Sequence, residues 1–136
     1  MSTKYVLIIQ CDIAHNRCSG FHCANEFNNR NNLFAEYDAD VKYLSFTCGG
    51  CCGKGVSQKL EHLARKAKKK ADLTPDDFTI HLASCITNDN RHADRCLFIN
   101  NMKKLIAKNG FTKIVEGTYI SKNSETKRAQ GEYKTY

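Results

Sequence analysis

Four short apolar runs, at residues 5–9, 41–46, 78–83 and 113–115, alternate along the chain with stretches of helical period. Each run is rich in β-branched, aromatic or leucine residues and has the length of a strand. Between the second and third, Val56, Leu60, Leu63, Ala64, Ala67 and Ala71 share one helix face. Pro75 prevents that helix from continuing. Phe98, Met102, Leu105 and Ile106 mark a later helix, with Gly110 placed as its C-terminal cap. Ala24, Phe27 and Phe34 fit a first helix face, although the asparagines between residues 25 and 32 weaken helix propensity. The order β-α-β-α-β-α-β predicts an α/β fold. The expected architecture is one small, doubly wound parallel sheet of about four strands with helices on both faces.

At 136 residues the chain has the length of one domain. That domain is expected over 1–120, and the polar, aperiodic segment 121–136 as a tail or extension. A hydrophobic content of 41% fits a folded chain rather than a disordered one. No apolar stretch approaches the roughly 20 residues that span a bilayer. The run 5–9 is too short for a signal-peptide core and is followed by no small-residue cleavage site. The cytoplasm is therefore the expected compartment, and no membrane partner is expected.

In a reducing compartment the eight cysteines read as metal ligands or catalytic groups rather than a disulfide framework. Cys11 follows the first apolar run, Cys48 the second and Cys85 the third, 37 residues apart each time. The carboxyl ends of parallel strands share one edge, where such folds place their ligands. Cys18, Cys23, Cys51, Cys52 and Cys96 fall in the loops rising from that edge or at the first turn beyond. All eight are thus expected to gather there. Cysteines used as small hydrophobes would fall within strands and on helix faces instead.

The densest stretch is FTCGGCCGKG, residues 46–55. A Walker A loop would need glycine where Cys48 stands and Ser or Thr where Gly55 stands. The dinucleotide pattern fails at Gln58. Glycines also let two thiolates close on one ion, and Gly49 and Gly50 supply that freedom between Cys48 and Cys51. Zinc takes four Cys or His ligands, often two from a C-x-x-C, so Cys48 and Cys51 make one half of such a site. A C-x-x-C at the start of a helix also has thiolate character, which leaves a dithiol oxidoreductase using Cys48 and Cys51 as another reading. Six further cysteines on the same edge favour a metal ion or cluster.

The net charge of +7 counts every cysteine as neutral. Its densest run, RKAKKK at 65–70, lies on the polar side of a helix and reads as a solvated face. No aromatic-basic motif accompanies it, so nucleic acid is not an expected partner. His15, His22 and His92 are candidate ligands or donors to ligands. His81 alternates with apolar neighbours and reads as a core residue, while His62 lies opposite the apolar stripe of its helix and reads as solvated. Asp12, Asp89 and Asp94 lie near the edge, with no pairing as general acid and base.

Taken in order, these motifs resemble the CGGC-domain proteins. The likeness rests on the cysteine after the first strand, CSGFHCANEFN (18–28), CGGC (48–51), ASCI (83–86), Cys96 and the closing EGT (116–118). That family is described as zinc-binding on the strength of its cysteines and histidines, so the resemblance implies a metal ion as partner, zinc first, and no settled activity. It marks Cys11, Cys18, Cys23, Cys48, Cys51, Cys85 and Cys96. Two positions depart: Cys52 stands where the family commonly has proline, and Tyr119 where it commonly has histidine. No imidazole role is carried to Tyr119. Cys52 also creates CCG (51–53), similar to the paired-cysteine motif of heterodisulfide-reductase-type subunits but without its following C-x-x-C. It makes an iron–sulfur cluster the alternative to zinc.

Overall fold

The computed structural model describes residues 3–14, 18–49, 54–87, 96 and 98–118. Four strands, β1 (Tyr5–Gln10), β2 (Lys42–Thr47), β3 (Phe78–Leu82) and β4 (Ile114–Glu116), form one sheet in the order β2-β1-β3-β4. All three pairings are parallel. The helices are α1 (Phe21–Asn28), α2 (Lys54–Ala71), α3 (Ser84–Thr87) and α4 (Ile99–Lys108). The α/β class and the four-stranded parallel sheet are those the alternating runs predict.

Central strands of such a sheet are buried on both sides, and the sequence complies. Every residue of β3 is buried, as is β1 from Val6 onward. The outer strand β2 leaves Tyr43 and Leu44 exposed. Alternate residues point to opposite faces, and two buried clusters follow that alternation. Leu7, Ile9, Ile80 and Leu82 pack with Val56 and Leu60 of α2 and with Met102 and Ile106 of α4. Val6 and Ile8 pack with Phe27 of α1 and with Phe34.

Gly110 ends α4 as its position suggests. It has φ +94, its N–H donates to the Ala107 carbonyl and the Phe111 N–H to that of Ile106. These are the two bonds of a Schellman cap, closed by the buried Ile106 and Phe111 side chains.

One expectation is corrected. Phe34 does not lie on the first helix, which stops at Asn28; it sits on a separate 3-10 turn, Asn32–Phe34. Arg30, just past the helix, and Asn32, the first residue of the turn, adopt φ of 52° and 49°. The Arg30 guanidinium holds this break by donating to the carbonyls of Phe27, Asp38, Ala39 and Val41. The short α3 has no counterpart in the sequence pattern, because four residues carry no period. No helix among the described residues is long and apolar enough to cross a membrane. The segment expected as a tail, 121–136, lies outside the described residues.

Candidate functional site

The pairing of β1 with β2 aligns Tyr5 with Lys42 and Gln10 with Thr47. One residue further, that register sets Cys48 opposite Cys11, and the Cys48 N–H continues the ladder by donating to the Gln10 carbonyl at 2.9 Å. The first 37-residue interval is therefore a strand register. The second is not, because β2 and β3 are not neighbours. Cys85 reaches the same edge by another route: Ala83 extends β3 by donating to the Ile9 carbonyl at 2.9 Å, and α3 starts at Ser84. The Cys11 N–H then donates to the Cys85 Sγ at 3.3 Å. The Asp12 N–H likewise faces the Cys48 Sγ, at 3.5 Å.

Three more cysteines sit around this edge. Cys18, whose N–H donates to the Ala14 carbonyl, lies just before α1. Cys23 lies in the first turn of α1, its Sγ 3.1 Å from the Thr118 hydroxyl. Thr118 in turn joins Ser84 through two bonds: the Ser84 N–H donates to the Thr118 Oγ1, and the Thr118 N–H to the Ser84 Oγ. Cys96 is tied to α3 by its N–H on the Ile86 carbonyl at 2.7 Å, and its Sγ accepts the Phe98 N–H. Cys51 and Cys52 lie outside the described residues.

Six thiols thus lie at one end of the sheet. Cys11, Cys48, Cys85 and Cys96 pack against the cluster under α2 and α4. Cys23 packs against the cluster under α1, and Cys85 touches both. Burial pushes the Cys85 thiol up to about 12, the Cys11 N–H opposes that rise, and the nearby Cys23, Cys11 and Cys18 add to it. Cys85 is consequently a neutral thiol at pH 7 in the metal-free chain. Among the described residues, no three His, Cys, Asp or Glu side chains are disposed to hold a metal ion. The donor type, thiolate sulfur, suits zinc and iron–sulfur clusters.

The turn that carries Cys48 is shaped by close backbone packing. Gly49 has φ +71, and a Cβ on Gly55 would meet the Cys48 carbonyl oxygen at 2.6 Å and the Gly49 Cα at 2.9 Å. The start of α2 therefore presses directly on the end of β2. Lys59, one turn on, donates to the Thr47 carbonyl at 2.7 Å and secures the same junction. Gly50, the other glycine of the tetrad, lies outside the described residues.

The histidines divide. His81 is fully buried against Phe34, with ring centroids 4.6 Å apart. A carbonyl only accepts, so His81 Nδ1–H donates to Gly117 at 2.9 Å, and Nε2 accepts the Tyr37 hydroxyl at 2.7 Å. It is a core residue, as its place in the strand suggests. His62 is exposed on α2. His22 lies on α1 with its ring edge-on to Phe21. His15, His92, Asp89, Asp94 and Tyr119 lie outside the described residues. Asp12 accepts the Thr47 hydroxyl at 2.9 Å.

Two residues of the edge are not singled out by the sequence pattern. Thr118 clamps the end of β4 to α3 and Cys23; its one signal is membership in the closing EGT. Gln10, a polar residue ending an apolar strand, is 5% exposed.

The family model of the CGGC domain matches residues 5–119, nearly the whole described region. No curated protein and no solved structure matches the chain.

Proposed function

Because the chain belongs to the CGGC-domain family, we propose that it holds a metal centre through thiolates at the carboxyl edge of its sheet. The carrying observation is the gathering of Cys11, Cys18, Cys23, Cys48, Cys85 and Cys96 at that one edge. Cysteine-rich composition and the family fit a metal-binding role; zinc is the first candidate. In this reading Cys48 and Cys51 are primary ligands. Cys11, Cys85 and the loop cysteines, Cys52 included, complete the set. The reading calls for a reducing compartment, the cytoplasm, in which thiols persist.

An iron–sulfur cluster is the second reading. What favours it is the pair of backbone N–H groups aimed at sulfur, Cys11 on Cys85 and Asp12 on Cys48. Hydrogen bonds to sulfur tune the potentials of such clusters.

Metal and acid-labile sulfide analysis, with an absorption spectrum, on protein purified without oxygen tests both. Stoichiometric zinc in colourless protein supports the first reading. Brown protein with iron and sulfide replaces it with the second. Metal-free protein carrying a reversible Cys48–Cys51 disulfide refutes both and leaves a dithiol oxidoreductase.

A further inference from the structure

A cleft of about 520 Å³ opens between α1 and the face of β1 and β2 that α1 covers. Its size is that of a small-molecule site. Ile8 and Gln10 of β1 line it beside Tyr43, Ser45 and Thr47 of β2, with Phe21 of α1 across from them. The strand register explains the floor: Val6, Ile8 and Gln10 align with Tyr43, Ser45 and Thr47.

Gln10 is the informative residue. It is more than nine-tenths buried, and its side-chain amide has no hydrogen-bond partner among the described residues. Its backbone is engaged in the sheet, with the carbonyl accepting the Cys48 N–H. A buried amide without a partner is disfavoured, and natural chains keep few of them. The cleft is where a partner for it can enter.

The chemistry of the lining narrows that partner. A primary amide presents N–H beside C=O and pairs in the same plane with a group that offers both in return. Phe21 and Tyr43, both exposed aromatic residues, line this cleft and offer it apolar ring surface. Among the described residues that line it, no side chain carries a charge. The nearby Asp12 carboxylate accepts from Thr47, and the Lys59 ammonium is engaged by the Thr47 carbonyl. An anion finds no cation among the described lining residues.

We propose that this cleft binds a small, neutral, planar heterocycle with a donor beside an acceptor on its rim, the chemistry of a nucleobase. The Gln10 amide reads that rim, as glutamine reads adenine in other settings. The proposal does not depend on the thiol edge or on any metal.

Ligand-observed saturation-transfer NMR on the full chain tests it with adenine and uracil, each also offered as its nucleoside to separate a free base from a sugar-linked one. Saturation transfer to a base or its nucleoside is expected. Binding of 1,3-dimethyluracil, which lacks the N–H, and of benzoate, a planar anion, should be at least tenfold weaker. Gln10→Leu should lose the signal while its melting temperature stays level or rises, since the amide has no bond to a described residue to lose. Tyr43→Ala should weaken binding several-fold. The proposal is overturned if no base or nucleoside binds at millimolar concentration or if dimethyluracil binds equally well. It is equally overturned if Gln10→Leu still binds, or if that variant is destabilised, which would mean the amide already has a structural partner.

Discussion

The Cys11 N–H and the Cys85 Sγ meet at 3.3 Å across the carboxyl ends of β1 and β3. These two strands sit side by side at the centre of the sheet, yet the chain leaves β1 toward β2 and β3 toward β4. In open α/β sheets such a divergence marks the crevice where ligands are accepted. Both residues that flank it are cysteines.

Cys85→Ser tests whether the crevice belongs to the metal centre. Serine keeps an acceptor for the Cys11 N–H and removes the sulfur, so unfolding free energy should change by no more than about 1 kcal/mol. Zinc affinity, measured by competition with a chromophoric chelator, should fall at least about tenfold, or roughly 1.4 kcal/mol. A serine variant that binds zinc as tightly as the parent places Cys85 outside the centre.

Gly55→Ala should be costly although it lies in a helix, where alanine is ordinarily the better residue. Its Cβ would come 2.6 Å from the Cys48 carbonyl oxygen, and backbone on both sides leaves little room to yield. A loss of about 1–3 kcal/mol is expected from the urea midpoint, the range of overpacked sites. Lys68→Ala at the exposed end of α2 should stay within about 0.5 kcal/mol. If Gly55→Ala matches that control, the packing of α2 on the Cys48 turn is not what holds the turn.

The strands are legible in the sequence because burial on both faces leaves a plain mark: YVLII is an unbroken apolar run, and FTIHL carries Phe78, Ile80 and Leu82 with Thr79 and His81 as its buried polar residues. The α2 stripe is legible for the same reason, and Gly110 because a left-handed cap selects its residue. The break after α1 is not. It depends on the Arg30 guanidinium finding loop carbonyls up to eleven residues away, which no local period records. Placement of the cysteines at one edge follows from topology alone, since strand ends of a parallel sheet coincide. Which thiols face one another depends on loop conformation. Cys23 meets Thr118, 95 residues away, only because the ends of α1 and β4 are brought together. Gln10 looks in the sequence like the polar end of a strand, and no local pattern marks it as buried.

Thr118→Val measures the clamp at the end of β4. Valine keeps the shape of threonine but cannot accept the Ser84 N–H at 3.2 Å or meet the Cys23 thiol at 3.1 Å. Thr118 is fully buried, so the Ser84 N–H loses its acceptor. The expected cost is about 1–3 kcal/mol by urea denaturation, the range for a buried donor left without a partner. Thr118→Ser, which restores the oxygen, should recover most of it. Equal stability of the valine and serine variants would show that shape, not the hydroxyl, holds this junction.

His81 makes stability depend on pH in one direction. Burial lowers its pKa below the ordinary 6.5, against the opposing bond to the Gly117 carbonyl. The nearest titratable group, Tyr37, is itself pushed upward by burial, so it stays neutral throughout the relevant range. As pH falls through about 6.5 the unfolded imidazole takes up a proton while the folded one does not. Stability is therefore full above that pH and declines below it, until the folded-state pKa is passed. The slope from this one group is at most about 1.4 kcal/mol per pH unit. Urea midpoints between pH 7.5 and 5.5 should show the decline, and His81→Asn should reduce its slope even though it lowers stability at every pH. An unchanged slope in His81→Asn would assign the pH dependence to other groups. NMR of the His81 ring gives the direct check: its carbon-bound protons should titrate at a lower pH than those of an unfolded histidine.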